Sequence, residues 1–240
     1  MPYPYYYGFD WTYLVLVLPC VLLSLWASAN VNSTFKKYSR QYSARRLTGA
    51  EAAQRVLMAN GVRGVRIERV SGNLTDHYDP TANVIRLSDS VYSNTSTAAI
   101  GVACHEAGHA VQYAENYAPI KLRAAIIPLT NLGSKLAMPL ILAGILLTFL
   151  GNFSDTLVYA GIAAFGLSLV FQIVTLPVEF NASRRAMVAI EQSNLLTAEE
   201  QKGARKTLTA AALTYVAATA VALAQLLRLI MIFGGRRRDD

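Results

Sequence analysis

The stretch ACHEAGHAVQ, residues 103–112, holds two of the chain's three histidines. His105 and His109 are four residues apart, and Glu106 directly follows the first. On an α-helix, residues four apart lie on one face. Both imidazoles can then point at one ion while Glu106 stands beside them as a base. This is the H-E-x-x-H zinc pattern: two imidazole ligands and a general base for peptide hydrolysis. A bound Zn2+ lowers the pKa of its water from about 16 to about 7, which brings that water within reach of a carboxylate base. The surrounding residues read as a helix capped somewhere in 94–97. Ala107 and Gly108 leave that helix slim for close packing.

A catalytic zinc takes three protein ligands and keeps a fourth position open. No H-x-x-G-x-x-H continuation follows His109, so the third ligand must come from elsewhere. Glu115 is too close on the same helix to close the far side of the ion. Glu191, Glu199 and Glu200 read as solvated helix charges. The choice among the remaining acids depends on how the chain is organised.

Hydrophobic residues make up 53% of the 240 and charged residues 15%. Soluble domains carry about 25% charged residues. With a mean hydropathy of +0.31, the shortfall points to a bilayer. The net charge of +7 then bears on topology and anionic lipid. No aromatic-interleaved basic patch argues for nucleic acid. Residues 1–11 read as an aromatic interfacial anchor, with no positive n-region and no cleavage site. The predicted spans are 12–29, 128–154 (charge-free over 136–154), 156–178 and 207–233, each close to the roughly 20 residues a bilayer needs. A polar region at 30–127 should hold a helix after the capping box at Thr48 and Glu51, strands near 64–70 and 83–92, and the zinc helix. A helical segment at 179–206 precedes the fourth span, and a charged tail occupies 234–240. The expected fold is a mainly α membrane protein of about four transmembrane helices. A small α+β zincin-like region, with a short antiparallel sheet beside the zinc helix, completes it.

Most of the 22 Lys and Arg lie before the second span or between the third and fourth. An even number of spans separates those regions, so they share a side, and the positive-inside rule makes it cytoplasmic. Arg236, Arg237 and Arg238 disagree, because four full crossings place them outside. Asp155 falls across the membrane from His105. Glu179, at the cytoplasmic end of the third span in TLPVEFNASRRA, returns to the same side and is the expected third ligand. Cys20 and Cys104 read as small apolar packers.

STFKKYS, LTGAEAAQRVL, LTDHYDP, IRLSDSVY, CHEAGHAVQ, YAPIKLR, TLPVEFNASRRA and AALTYVAA together resemble the YugP-type neutral zinc metallopeptidases of bacterial membranes, over nearly the whole chain. The zinc core is similar to that of the HtpX and Ste24 gluzincins. The resemblance implies His105, His109 and Glu179 as ligands of one zinc per chain and Glu106 as the base. It also implies a multi-pass place in the bacterial cell membrane. The sequence departs where the broader group carries an aspartate four residues after its glutamate. Here that position is Ser183, and Ser183, Asn181 or a water is left to orient a histidine. The resemblance further implies that Ile85, Arg86, Leu87 and Ser88 line the cleft and pair with extended substrate. His77 and Tyr215 are weaker candidates for transition-state stabilisation; a turn residue and a packing residue are the plainer readings.

The expected function is that of a membrane-anchored zinc endopeptidase acting on unfolded polypeptide or membrane protein segments. Two other readings stand beside it. One is a zinc-containing scaffold or chaperone-like module, which Cys104 as a fourth ligand would favour. The other is an intramembrane-cleaving protease, against which the polar ends of the zinc helix argue. Oligomeric state and partner subunits are not legible in the sequence.

Overall fold

The structure is a computed structural model and describes residues 10–234. The tyrosines of the expected N-terminal anchor and Arg236, Arg237 and Arg238 lie outside that range. The chain divides into two compact units. One comprises Met1–Trp26, Ile126–Ile173 and Val216–Asp240; the other comprises Ala27–Ala125 and Val174–Tyr215.

Six α-helices and three strands follow in the order α1 (Leu18–Tyr38), α2 (Gly49–Ala59), β1 (Arg66–Val70), β2 (His77–Asp79), β3 (Val84–Ser88), α3 (Thr97–Ala114), α4 (Ala118–Leu146), α5 (Asn152–Gln192) and α6 (Ala198–Phe233). A π-helical turn at Tyr13–Val17 leads into α1. Four helices are long and apolar enough to cross a membrane: Tyr13–Tyr38, α4, α5 and α6. Only 11–28% of their apolar windows is buried inside the molecule. Apolar faces left uncovered to that extent suit lipid rather than a soluble core.

In the first unit, α4 and α5 form a hairpin held by small residues. A Cβ on Gly133 would come within 2.8 Å of the Ala164 carbonyl, and one on Gly161 within 2.8 Å of the Ala137 carbonyl. Gly144 approaches the Ser154 carbonyl in the same way. Close backbone approach of this kind is how helices associate where no water drives them together. The second span differs from the expected 128–154: α4 ends at Leu146, a 3-10 turn follows at Thr148–Leu150, and α5 begins at Asn152. The charges Lys135 and Asp155 are not its limits. Gly151, with φ +57, makes the turn, and Ser154 Oγ donates to the Gly144 carbonyl across it. Near the other end of the chain, Arg228 of α6 donates through Nε to Asp10, 3.0 Å away, just before α1. Within this unit the far end of α6 therefore lies beside the start of α1.

The second unit is built around α3. Thr48 and Glu51 form the expected capping box of α2, and Ser96 caps α3, accepting from the Ala99 N–H. Along α3, Ala99, Ile100, Ala103, Cys104, Ala107 and Ala110 are all buried in one apolar core. That core also takes Ala53 and Val56 of α2, Ile85 and Leu87 of β3, Ile190 of α5 and Leu208 of α6. A helix covered on so many sides must be thin. A Cβ on Gly108 would stand 2.8 Å from the Ala182 carbonyl of α5, and one on Gly101 3.2 Å from the Ala204 Cβ of α6. The expected helical segment at 179–206 is the end of α5, a short connection, and the start of α6. Glu200, read from sequence as solvated, is buried. It caps α6 through the Thr197 N–H at 2.9 Å and accepts from the Ala44 N–H at 2.7 Å.

The sheet is mixed rather than wholly antiparallel. Its order is β1-β3-β2, with β1 parallel and β2 antiparallel to β3. Segment 71–76 crosses the end of β3, where the Asp76 carboxylate accepts from the Ser88 N–H (2.7 Å) and Ser88 Oγ (2.9 Å).

Gly108→Ala should lower stability by about 1–3 kcal/mol, because the clash is with backbone and cannot be relieved by a rotamer change. A lowered thermal midpoint with reduced metal content is the expected result.

Candidate metal centre

α3 presents His105 and His109 on one face, with ring centroids 4.7 Å apart and nearly perpendicular planes. α5 brings Glu179 to them from 70 residues further along the chain. Glu179 Oε2 lies 3.2 Å from His105 Nε2 and 3.5 Å from His109 Nε2. Zinc bonds of about 2.0–2.1 Å at tetrahedral angles place neighbouring ligand atoms roughly 3.3–3.4 Å apart. Both spacings fit that ion, and the three donor atoms all lie within 4.8 Å of one another. Among the described residues this group comprises three side chains, all buried or nearly so. Cys104, the potential fourth ligand, is turned into the apolar core, and burial pushes its thiol pKa up, away from a ligating thiolate.

The family model described as "Putative neutral zinc metallopeptidase" matches residues 13–234. The chain belongs to that family. One curated relative, "Putative membrane protease YugP" of Bacillus subtilis (strain 168), is 47% identical over 228 residues, which is 95% of this chain and 99% of the relative. No solved structure matches. Membership in a zinc metallopeptidase family agrees with the donor set: two neutral imidazoles and one carboxylate suit Zn2+.

The surroundings of the cluster in this family member decide which ring nitrogen is turned toward Glu179. His109 Nδ1 lies 2.9 Å from Gln112 Oε1. The Gln112 amide is oriented by its other end: Nε2 donates to the Val178 carbonyl at 2.8 Å and to Asn181 Oδ1 at 2.9 Å. Asn181 Oδ1 also accepts from Arg185 Nε at 2.7 Å, and Arg185 pairs with Glu115 at 2.7 Å. A guanidinium only donates and a carbonyl only accepts. The chain of bonds therefore has one polarity, which requires a proton on His109 Nδ1 and leaves the Nε2 lone pair facing Glu179. Ser183 Oγ is 3.1 Å from His105 Nδ1, where it can accept that ring's N–H. Such partners fix the tautomer and ring angle of metal-binding histidines.

Of the residues singled out by sequence, the structure gathers His105, Glu106, His109, Glu179, Ser183 and Tyr215. Asn181 acts one step away, through Gln112. His77 is exposed on β2, with Nδ1 2.8 Å from the Thr75 carbonyl and Nε2 3.4 Å from Arg86. The expected pairing of substrate with Ile85, Arg86, Leu87 and Ser88 is corrected. β3 is the central strand, both its edges are occupied, and Asp76 takes the Ser88 N–H. Three residues escaped the sequence reading. Gln112 was quoted only as part of the zinc helix, yet it stands three residues past His109, on the same face. Arg123 of α4 donates to Glu179 Oε1 at 3.0 Å; it ends the stretch YAPIKLR, whose local pattern assigns it no partner. Asp76 lines a cavity of about 230 Å³ together with His105, Glu106, Leu74, Ala211 and Tyr215. Burial raises the Asp76 carboxyl above its usual pKa.

Burial lowers the pKa of His109, but the Glu179 and Glu106 carboxylates outweigh it, and the net direction is upward. A metal must displace that proton. Zinc affinity should therefore fall about tenfold per pH unit below the raised His109 value and level off above it, in competition titrations across pH. Gln112→Leu removes the acceptor for His109 Nδ1–H. It should weaken zinc binding roughly 10–100-fold in the same titration.

Proposed function

We propose that this protein is a membrane-embedded zinc endopeptidase in which His105, His109 and Glu179 hold the ion and Glu106 is the general base. The observation that carries the reading is that one Glu179 oxygen lies within 3.5 Å of both imidazoles, with Glu106 at the wall of the adjoining cavity. When bound, zinc polarises the scissile carbonyl and makes water acidic enough to attack at neutral pH. Glu106 takes the proton of the attacking water and passes it to the departing amine. Arg123 holds one carboxylate oxygen of Glu179, so the other is presented to the histidines. Gln112 and Ser183 hold the rings in the tautomers that face the ion. Tyr215, which lines the same cavity, would donate to the carbonyl oxygen as negative charge develops there.

The substrates in this reading are polypeptide segments lying in or against the bilayer, cleaved from the cytoplasmic side. Support comes from the register of α6. Between Lys206 and Arg228 the helix has no charged residue, over about 31 Å of its length. Leu208, Ala211, Thr214 and Tyr215, which line the cavity, all fall inside that run. Tyr215 is nine residues from Lys206, about 13 Å along the axis. A cleft walled by a spanning helix favours chains already held at the membrane.

Purified Glu106→Gln should keep one zinc per chain and lose roughly 10²–10⁴-fold in cleavage rate. The substrate for this assay is an unfolded reporter tethered to the same detergent micelle or vesicle. Equal cleavage by wild type and variant would overturn the assignment of the base. Loaded zinc without cleavage by either would favour the scaffold.

A further inference from the structure

The apolar part of the α4–α5 hairpin carries one charge on α4 that the metal centre does not use. Lys135 is the only ionisable residue between Arg123 and Asp155. Two rulers put it at mid-depth. On α4 it stands twelve residues beyond Arg123 and eleven before Leu146, about 18 and 16 Å. On α5 the facing stretch is known from the hairpin contacts: Gly133 meets Ala164, and Ser134 Oγ lies 2.8 Å from Ser168 Oγ. That stretch is the middle of the charge-free run 156–178. Lys135 is exposed on the surface of the hairpin and has no carboxylate partner among the described residues. Its stem reaches roughly 6 Å, too short to bring the ammonium to either interface. A charge at this depth is costly and calls for a partner.

The polarity of the spot is not confined to the ammonium. Asn131, one turn away on the same face of α4, is also exposed. Pro139 lies four residues beyond Lys135 inside the helix. Its ring nitrogen cannot donate, so the Lys135 carbonyl loses its usual helical N–H. An ammonium, an amide and a freed carbonyl thus collect at one level of an otherwise apolar surface.

We propose that this face docks a transmembrane helix of another protein, one that presents an aspartate or glutamate at mid-depth. The carboxylate would neutralise Lys135 and share the Asn131 amide. Two other occupants fit less well. A lipid phosphate stays at the headgroup level, about 15 Å from the bilayer centre. A second copy of this chain has no acid to offer, because the charge-free runs of α5 and α6 and the whole of α1 and α4 contain no Asp or Glu. The proposal goes beyond the peptidase reading and does not depend on it.

The test uses the full chain in phosphatidylcholine nanodiscs and three synthetic polyleucine transmembrane helices as probes. One carries a central glutamate, one a central glutamine, and one a glutamate near the helix end. Association is read by energy transfer between labels. Wild type should bind the central-glutamate helix about tenfold more tightly than the other two, a difference of about 1.4 kcal/mol. Lys135→Arg should keep that preference and Lys135→Met should erase it, with the helical circular dichroism and zinc content of Lys135→Met unchanged. Should Lys135→Met not fold, the three probes against wild type and Lys135→Arg still decide the matter. Equal binding of all three helices to wild type overturns the proposal, as does a preference that survives Lys135→Met. Self-association of wild type that Lys135→Met abolishes would assign the face to a second copy and overturn it as well.

Discussion

The centre depends on one close approach. Gly108 lets α3 come so near α5 that a single added carbon would meet the Ala182 carbonyl at 2.8 Å. At that separation Glu179, three residues before Ala182, falls beside His105, and Ser183, one residue after it, falls beside the other nitrogen of the same ring. A wider gap would remove both contacts together. The alanines along α3 act in the same way, since each buried small side chain lets a neighbouring element pack close to the helix.

The polar atoms around the cluster are bonded in sequence rather than singly. Arg185, Asn181, Gln112 and His109 form a line in which each donor and acceptor role follows from the one before it. The line begins at a group that cannot accept and ends at a ring nitrogen that must then carry hydrogen. Arg123 does the corresponding work for the carboxylate. Buried polar groups are costly unless satisfied, and satisfied ones specify a single arrangement. That cost is met here by bonds running from α3 to α5 and from α5 to α4, so the geometry of the centre and the packing of these helices are one problem.

Sheet and membrane helices show how the polar and apolar parts are solved differently. In the sheet, a crossing segment closed by Asp76 and Ser88 makes β3 central and removes it as a docking edge. In the helical hairpin, glycines at three levels allow backbone contact where the hydrophobic effect gives no drive. Glycine thus acts in both units, as a spacer for the helix that carries His105 and His109 in one and as the packing surface itself in the other.

Much of this was legible in the chain. Spacing of four placed His105 and His109 on one face, the deficit of charge announced the membrane, and Thr48, Glu51 and the segment 94–97 marked helix starts through bonds that are local. Even the choice of Glu179 followed from counting crossings, which is a one-dimensional argument. The rest required three dimensions. The second span was drawn to end at 154, just before Asp155, because charge is the visible signal, whereas Gly151 sets the turn through a dihedral angle. Arg123, Gln112 and Asp76 gained their roles from neighbours 56, 66 and 12 residues away. Residue type and local spacing determine which groups can bind a metal or cap a helix. Which of them face one another, and in which tautomer, is decided only when the helices pack.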